Sequence, residues 1–490
     1  MIRKIEDSPL ALLVNPRSMV MFGASNNLSM GTVIYMAALN LKFKGPIYLV
    51  HPKDEVVLGR RAYKNIADLP EVPDLAVLVL PNRAVAGTIE ACGRLGVRRA
   101  VIVSGGFKEA GEEGRTMEKE LAETAARYGV RLLGPNCLGV LSTPHNLNTT
   151  TFPYEGPGGW VGMISRSGSF IVQMYQNLFD LGLGFSTAFS VGNQVDLDVV
   201  DCLEYLGACP HTKVIAMYIE GIRRGRDFVE AARAISPRKP IVAYYAGGSE
   251  TGRRAGLSHT GALAGPDRLY DGVFRQGGIV RARTVTEMLE CCRLLGGCPL
   301  PRGPRVAIQT DSGGPGAAAA DACGRAGLEL PSFSASTLAK LKDLIPGTAS
   351  TNNPVDLTFN KSLQDYASSI PQALLDDENV DMLLAYFLMP VEVMSLLMEG
   401  AGLSKEQAFA ESWKIFEQQG DSFGRLCAAA DKPAVAFTYR ALNSELIKIL
   451  SARGVPVLTG PDRAARAMAS LVEYRRLREK IIASDQSRAA

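Results

Sequence analysis

A histidine surrounded by glycines and small residues is the position in this sequence best suited to covalent chemistry. His259 is one of four histidines in 490 residues, and it lies in a small-residue run from Gly256 to Gly265. Glycines on both sides allow backbone conformations closed to other residues and a close approach to a ligand. A neutral imidazole nitrogen is a nucleophile near neutral pH, so His259 is a candidate to carry a phosphoryl group. The alternative is a loop histidine that bridges its neighbours.

A carboxylate lies at a matching position in the preceding part of the chain. Glu220 ends the apolar run 214–219, and His259 lies in the loop that follows the next apolar run. If the two runs are neighbouring parallel strands, both residues emerge at the same edge of the sheet. Glu220 would then hold the imidazole in the required tautomer through its second nitrogen. The alternative is an ion pair between Glu220 and Arg223 or Arg224.

Two turns built from serine and glycine each join a strand-like run to a helix-like run, at 160–179 and again at 305–325. The residues of these turns are Ser167, Gly168 and Ser169 in the first and Ser312 and Gly313 in the second. Free amides at the start of a helix bind anions, so each turn is a candidate phosphate site, and an ordinary helix cap is the alternative. Ser167 is not in a Gly-x-Ser-x-Gly motif, which argues against a hydrolase nucleophile. The repetition indicates two related domains.

The N-terminal segment alternates short apolar runs with helix-length stretches, which predicts βαβ units and a parallel sheet. The first run, 19–22, ends in a turn that contains Gly23, Ser25 and Ser29. A glycine-containing turn between a first strand and a helix is a phosphate site in such folds. The spacing here is not Gly-x-Gly-x-x-Gly, which weakens a dinucleotide interpretation and leaves coenzyme A as a ligand.

Other loops follow later strand-like runs of the same segment, and Pro81 and Asn136 lie in two of them. Each loop alone is an ordinary turn. Loops that follow successive strands of one sheet share a crevice at its carboxyl edge, where ligands bind. Cys137, next to Asn136, has no histidine placed beside it, and we interpret it as a buried or loop thiol.

Composition limits the possible classes of protein. With 53 basic and 50 acidic residues the net charge is +3, which gives no basic stripe for nucleic acid. The nine cysteines show no Cys-x-x-Cys spacing, so we expect reduced thiols and no structural metal. No apolar run is long enough to span a membrane and no leader is evident, so we expect a cytoplasmic protein.

Length and linker composition divide the chain into three domains, at roughly 150 residues per domain. Stretches rich in proline and glycine at 143–159 and 296–304 read as linkers. The predicted domains are 1–145, 146–298 and 299–475, followed by a tail at 476–490. A charged helix is expected from Asp462 to about Lys480, and the residues after Ala483 are expected to be loose.

Taken together, these residues resemble the α subunit of the NDP-forming acyl-CoA synthetases, the ADP-forming acetate:CoA ligase group related to succinyl-CoA synthetase. The resemblance covers about residues 10–475. The motifs that carry it are 258–265, 165–168, 218–221, 134–137 and 353–357. It implies a Rossmann-like CoA-binding domain followed by two flavodoxin-like domains of the succinyl-CoA synthetase type. It also implies interconversion of acyl-CoA, phosphate and ADP with acid, CoA and ATP through an acyl phosphate and a phosphohistidine.

The resemblance also implies roles for individual residues. His259 would take the phosphoryl group, Glu220 would orient and stabilise it, and the two serine–glycine turns would hold it. The residues implied to bind CoA are Gly23, Ser25, Ser29, Pro81 and Asn136, the last near the thioester.

The sequence departs from the family at two points. Tyr245 and Gly248 stand where the family often has Lys and Arg, while Arg253 and Arg254 are as in succinyl-CoA synthetase, so the acyl group stays open. No ATP-grasp module is evident, which predicts a separate ATP-grasp β subunit that carries ATP/ADP and Mg²⁺ in an α2β2 assembly.

Two other functions stay open. One is a non-catalytic CoA-binding regulatory or scaffold subunit, against which the retention of His259, Glu220 and both turns argues. The other is a nicotinamide-dependent oxidoreductase, disfavoured because the second apolar run ends in His51-Pro52 without a clear acidic residue.

Overall fold

The computed structural model of the chain describes residues 3–252, 265–347, 349–357, 362–386 and 391–489. Its architecture is α/β, with three sheets flanked by helices, as the alternating apolar runs predicted. Many strands, such as Leu75–Leu78 and Met382–Tyr386, are apolar and buried along their whole length, as is typical of parallel strands covered by helices on both faces.

The first sheet has seven strands in the order β3-β4-β2-β1-β5-β6-β7. Their bounds are β1 Met19–Phe22, β2 Ile47–Val50, β3 Val56–Val57, β4 Arg60–Tyr63, β5 Leu75–Leu78, β6 Arg99–Ile102 and β7 Arg131–Leu133. Only the β3–β4 pair is antiparallel among the pairs described. Strand β1 lies between β2 and β5, so the chain order reverses direction there and a crevice opens at its carboxyl end.

The second sheet has seven strands in the order β14-β13-β12-β10-β11-β8-β9. Their bounds are β8 Gly139–Ser142, β9 Leu147–Asn148, β10 Val161–Ser165, β11 Phe185–Ser190, β12 Val214–Ile219, β13 Ile241–Tyr245 and β14 Val280–Ala282. Strands β10 to β14 pair in parallel, and β8 pairs antiparallel with β11 and β9. The stretch 143–159, interpreted as a linker, therefore contains an edge strand.

The third sheet has five parallel strands in the order β16-β15-β17-β18-β19. Their bounds are β15 Val306–Thr310, β16 Val355–Asp356, β17 Met382–Tyr386, β18 Ala434–Thr438 and β19 Val457–Thr459. Strand β15 leads into a glycine-rich helix start, as β10 does in the second sheet, so the internal repeat predicted from the sequence is present in the fold.

Helices connect the strands in each segment. Within the described residues their bounds are α1 Ala11–Val14, α2 Met30–Asn40, α3 Asn82–Leu95, α4 Glu112–Tyr128, α5 Gly168–Asp180, α6 Val199–Ala208, α7 Gly225–Ile235, α8 Asp267–Gly277, α9 Val285–Gly297, α10 Gly313–Arg325, α11 Ala335–Leu344, α12 Leu363–Ala367, α13 Ser369–Asp376, α14 Val391–Gly400, α15 Lys405–Ala429, α16 Glu445–Ala452 and α17 Pro461–Ala489. None of these helices is both long enough and apolar enough to cross a bilayer.

The last helix corrects one expectation. Residues after Ala483 were expected to be loose, yet α17 continues through Ala489. Arg233 explains the difference, because its guanidinium donates to the carboxylate of Asp485 and to Ser484 Oγ. This ion pair ties the end of the helix to the body of the chain.

The chain divides into two compact units. The first comprises Met1–Phe179, Leu183–Met288 and Leu477–Ala490, and the second comprises Asp180–Gly182 and Leu289–Arg476. The first unit contains the first two sheets, which share one continuous apolar core that includes Met21, Leu133, Ile164 and Phe189. The second unit contains the third sheet and has a core of its own.

Candidate functional site

A cavity of about 1020 Å³ opens at the carboxyl edge of the first sheet. We call it the first-sheet cavity, and its walls include Gly23 after β1, His51 after β2, Lys64 after β4, Pro81 after β5, and Arg94 of α3. It lies where the strand order reverses, the usual ligand position in an open α/β sheet. Two cationic side chains are at its wall, and each is ion-paired with a glutamate: Lys64 with Glu55 at 3.1 Å and Arg94 with Glu90 at 2.6 Å.

The turn after β1 leaves no room for a side chain at its first position. Gly23 has φ +96°, and a Cβ there would lie 2.0 Å from the carbonyl oxygen of Val79. Ser29 caps α2 by accepting a hydrogen bond of 3.2 Å from the Thr32 amide, and its hydroxyl donates to the Gly23 carbonyl at 3.3 Å. The Ser25 amide donates to Thr32 Oγ1 at 3.1 Å. The predicted residues thus form one braced turn at the start of a helix, although Ser25 and Ser29 do not line the cavity.

A second cavity of about 480 Å³ lies between the first two sheets, inside the first unit. We call it the junction cavity; it is lined by Asn136 and Cys137 on one side and by Ser167, Gly168 and Ser169 on the other. Asn136 has φ +56°, a left-handed conformation that asparagine tolerates better than most residues. The fold therefore brings a predicted CoA residue and a predicted phosphate turn to one cavity.

A buried amide fixes the floor of the junction cavity. Asn193, only 3% exposed, donates from Nδ2 to Glu109 Oε2 at 2.6 Å and to Glu118 Oε2 at 2.7 Å. Burial acts to raise the pKa of Glu109, but hydrogen bonds from Asn193 and from the amides of Gly106 and Phe107 outweigh it, and the pKa is lowered. The glutamate is therefore an ionised acceptor that orders both the amide and the loop.

The first serine–glycine turn follows β10 and starts α5. The Ser165 hydroxyl donates to the Ser167 carbonyl at 2.6 Å, which holds the turn open at the helix start. In the second unit the Thr310 hydroxyl makes the same contact with the Ser312 carbonyl at 3.0 Å. Ser312 is at the N-cap position of α10, which begins at Gly313, and its side chain makes no capping hydrogen bond there. Each turn thus presents the first amides of a helix, where an anion is favoured.

A third cavity, of about 850 Å³, lies at the carboxyl edge of the second sheet. We call it the second-sheet cavity; Ser167 and Ser169 line it as well as the junction cavity, and Glu220 lines it from the end of β12. The Ser167 turn is therefore common to both cavities. The chain leaves the described residues after Gly252, which also lines this cavity, and returns at Gly265.

Glu220 pairs with neither arginine considered from the sequence. Its Oε2 lies 3.7 Å from Nε of Arg166, the residue that follows β10, and both side chains are about nine-tenths buried. Arg224 instead binds Asp198 and Asp201. Burial, with a further contribution from Glu220, raises the pKa of Tyr218 to about 12, so the neighbouring phenol stays neutral.

Tyr245 and Gly248, the two positions where the sequence differs from the family, both line the second-sheet cavity. Tyr245 stacks on Tyr270 with ring centroids 3.6 Å apart and donates from its hydroxyl to the Gly265 carbonyl at 2.9 Å. A Cβ on Gly248 would lie 2.1 Å from Asp267 Oδ1. Two cationic side chains, Arg281 and Arg283, line the same cavity.

His259 lies outside the described residues, as do Arg253 and Arg254. Cys137 is 3% exposed and donates from Sγ to the Ile102 carbonyl at 3.3 Å. Burial raises the pKa of its thiol to about 12, so the thiol is not a nucleophile at neutral pH. Across the described ranges, no cluster of three or more His, Cys, Asp or Glu side chains is arranged to hold a metal ion.

Sequence reasoning missed Arg166, Asn193, Arg281 and Arg283. Arg166 had a usable signal, because it follows a strand just as Glu220 does, and a charge at that position faces the functional edge. The others had no such signal. Asn193 gains its role from two glutamates that are 75 and 84 residues away in the chain.

Two family profiles match the chain. The CoA binding domain profile matches residues 17–143, and the succinyl-CoA ligase like flavodoxin domain profile matches residues 157–295. These matches cover the first two sheets except for β9, and they define a class of protein that binds coenzyme A and has a succinyl-CoA ligase-like domain.

Similar proteins are more specific. The acetate–CoA ligase (ADP-forming) II subunit alpha of Pyrococcus furiosus is 37% identical over 94% of this chain and 96% of that protein. Subunit alpha of the corresponding ligase I from the same organism is 34% identical over 96% and 99%. A solved structure of dinucleotide-forming acetyl-coenzyme A synthetase 1 from Ca. Korarchaeum cryptofilum, with phosphate and ADP, matches 97% of this chain and 98% of that chain at TM-score 0.84 and 32% identity. The chain belongs to the family of ADP-forming acetate–CoA ligase α subunits, which confirms the resemblance seen in its motifs.

Other relatives are longer single chains. The acetate–CoA ligase (ADP-forming) I of Archaeoglobus fulgidus is 36% identical over 96% of this chain but only 64% of its own length. The corresponding ligase of Methanocaldococcus jannaschii is matched over 49% of its length. The chain thus spans nearly all of the α subunits and about half to two thirds of these longer relatives.

Proposed function

We propose that this chain is the catalytic α subunit of an ADP-forming acyl-CoA synthetase. The reaction interconverts acyl-CoA, phosphate and ADP with carboxylic acid, CoA and ATP. One observation carries the proposal: the turn from Ser167 to Ser169 lines both the junction cavity and the cavity of Glu220. A phosphoryl group would form beside the thioester in the junction cavity. It would stay bound to the amides at the start of α5 while it is transferred to a histidine that Glu220 orients.

Coenzyme A would occupy the first-sheet and junction cavities. Its phosphates would lie at the turn of Gly23, Ser25 and Ser29, with Pro81 at the wall and Lys64 as a cation. A volume of about 1020 Å³ accommodates a nucleotide. The thioester would lie beside Asn136 in the junction cavity.

The first chemical step takes place at the thioester carbonyl. A hydrogen phosphate oxygen attacks the carbonyl carbon, the C–O bond forms, the C–S bond breaks, and CoA leaves with the proton that the phosphate loses. The products are an acyl phosphate and free CoA thiol. Amides of Ser167, Gly168 and Ser169 would bind the phosphoryl oxygens, where charge is greatest.

The second step transfers the phosphoryl group to His259. An imidazole nitrogen attacks phosphorus, the N–P bond forms, the acyl O–P bond breaks, and the carboxylate leaves. Glu220 would accept a hydrogen bond from the other imidazole nitrogen and stabilise the positive ring. Ser312 and Gly313 would offer a second set of helix-start amides to the phosphohistidine.

ADP would then take the phosphoryl group on a partner chain. We assign the nucleotide, its Mg²⁺ and an ATP-grasp fold to a β subunit in an α2β2 assembly. Two relatives named subunit alpha match this chain along 96% and 99% of their length, whereas longer single-chain ligases match it over 64% and 49% of theirs. The extra length of the longer ligases supports a separate chain for the remaining function.

The two other functions considered from the sequence are not favoured. The relatives named above are ligases, and the first-sheet turn lacks dinucleotide spacing, which disfavours an oxidoreductase. A scaffold subunit would not require a buried glutamate in the same cavity as the Ser167 turn, so Glu220 argues against that function.

The test is a coupled assay on the chain co-expressed with its ATP-grasp partner. Acetyl-CoA, phosphate and ADP are supplied, with a panel of other acyl-CoA thioesters beside acetyl-CoA. We expect equal amounts of free thiol and ATP, with both products dependent on phosphate. CoA binding without thiol release on any thioester would favour the scaffold, and reduction of NAD would favour the oxidoreductase.

A further inference from the structure

Arg166 and Glu220 are a charge pair whose two members line different cavities. Arg166 lines the junction cavity and Glu220 lines the second-sheet cavity, each at the end of one of two neighbouring strands, β10 and β12. The residues are 8% and 9% exposed. The two residues are thus a buried charge pair with one member at each cavity.

The pair is poorly satisfied for its depth. Nε of Arg166 lies 3.7 Å from Glu220 Oε2, beyond hydrogen-bond distance, and within the described residues neither atom has a hydrogen-bond partner. A buried ion pair is stabilising only with good geometry and further hydrogen bonds. The Nε donor is buried, so an anion in the junction cavity reaches it only if the guanidinium turns away from Glu220.

Other cations add to the attraction for an anion. Lys108 and Arg223 are close enough to Arg166 for electrostatic repulsion between the positive charges. Glu118 and Glu220 are close enough to attract the Arg166 guanidinium. Burial lowers the pKa of the Arg166 guanidinium, and Glu220 offsets this only in part. An anion in the junction cavity would meet these three cations together with the carboxylates of Glu109, Glu118 and Glu220, so it must displace a carboxylate from Arg166 in order to bind there.

We propose that Arg166 binds the phosphate anion in the junction cavity and exchanges Glu220 for it as its ionic partner. The inference rests on the proposed function in taking the anion to be phosphate or the phosphoryl end of an acyl phosphate. The planar guanidinium presents two parallel donors to the phosphoryl oxygens, which a lysine cannot do. When Glu220 is released, its carboxylate can accept the hydrogen bond that the proposed function assigns to His259. Anion binding in the junction cavity would thus free the acceptor in the second-sheet cavity.

The exchange predicts effects of opposite sign for the two partners. Arg166→Gln should weaken binding of inorganic phosphate at least tenfold, because charge and bidentate contact are both lost. Arg166→Lys should weaken it less. Glu220→Gln should tighten phosphate binding several-fold, because the competitor for Arg166 is neutralised.

The experiment is equilibrium dialysis of radiolabelled orthophosphate against the full chain with its partner. The single variants are compared with Arg166→Gln/Glu220→Gln and with the exposed arginine control Arg226→Gln. Under the exchange, Glu220→Gln tightens binding only when Arg166 is present. Equal phosphate affinity of wild type and Arg166→Gln overturns the proposal. The proposal is also overturned if Glu220→Gln tightens binding equally with Arg166 present and in the Arg166→Gln background, because that result reflects only the removal of repulsion between Glu220 and the anion.

Thermal unfolding and CoA binding on the same preparations separate misfolding from loss of the anion site. Arg166→Lys keeps the charge, so it is the variant to rely on if Arg166→Gln unfolds. Thiol release from acyl-CoA is measured alongside. If wild type releases no thiol but phosphate binding still depends on Arg166, the proposed function fails while the anion site stands.

Discussion

Replacement of Asn193 by leucine tests the network that fixes the junction cavity. The substitution keeps the branched four-atom shape of the side chain, puts larger methyl groups in place of the amide atoms and removes both donors to Glu109 and Glu118. The asparagine is 3% exposed, so few water molecules reach its amide in the folded chain. Two carboxylates are then left without their shared donor.

The expected loss follows from the two bonds. A hydrogen bond to an ionised group contributes about 1.5–3 kcal/mol, which gives about 3–6 kcal/mol for the pair. The glutamates keep some solvent contact, and Glu118 retains Lys108 at 3.3 Å, so the lower end applies. We expect a loss of about 3 kcal/mol in the free energy of unfolding, which lowers the Tm of the first unit, with its roughly 300 residues, by about 5 °C.

The loss should depend on pH with a defined sign. The folded-state pKa of Glu109 lies below its ordinary value of 4.5, so its contribution to stability is present above that pH and is lost as the pH falls. The difference in Tm between wild type and Asn193→Leu should be greatest at pH 7 and shrink below pH 4.5. Thermal unfolding followed by circular dichroism measures it, with the exposed Asn40→Leu as control. A Tm within 2 °C of wild type at pH 7, or a difference that grows in acid, would refute the reasoning.

Three further outcomes are expected. Glu220→Gln should slow phosphorylation of the chain about a hundredfold, with CoA affinity unchanged, as single-turnover labelling and dialysis would measure; normal labelling would contradict its role. Gly23→Ala should cost at least tenfold in CoA affinity, because a Cβ would lie 2.0 Å from the Val79 carbonyl and φ is +96°; calorimetry that finds wild-type affinity would show that the turn does not bind CoA. Cys137, with a thiol pKa of about 12, should resist iodoacetamide at pH 8 until the chain is denatured, and mass mapping of a modified native Cys137 would contradict its burial.

Much of the fold follows from apolar runs. The runs 19–22, 47–50 and 214–219 are strands at the predicted positions, because β-branched and apolar side chains suit strands covered on both faces. Short strands gave no such signal. The hairpin at Val56–Val57 and Arg60–Tyr63 is charged and partly exposed, and Leu147–Asn148 lies in a stretch whose composition is that of a linker.

The site was predictable where chemistry follows a strand end. The positions of Glu220 and of the Ser167 turn at a cavity follow from the sequence, because both come directly after a parallel strand. The partner of Glu220 was not found, because Arg166 reaches it only through the pairing of β10 with β12. Side chains that act through distant contacts become visible only when the sheet order is known.

The most direct test of the account is covalent labelling at His259. The chain and its partner are incubated with acyl-CoA and radiolabelled phosphate, without ADP, and the protein is separated and treated with acid or base. We expect label on this chain that is lost in acid, kept in base and absent from His259→Asn. Label that persists in His259→Asn, or a wild-type chain that turns over acyl-CoA without ever becoming labelled, would contradict the phosphohistidine mechanism.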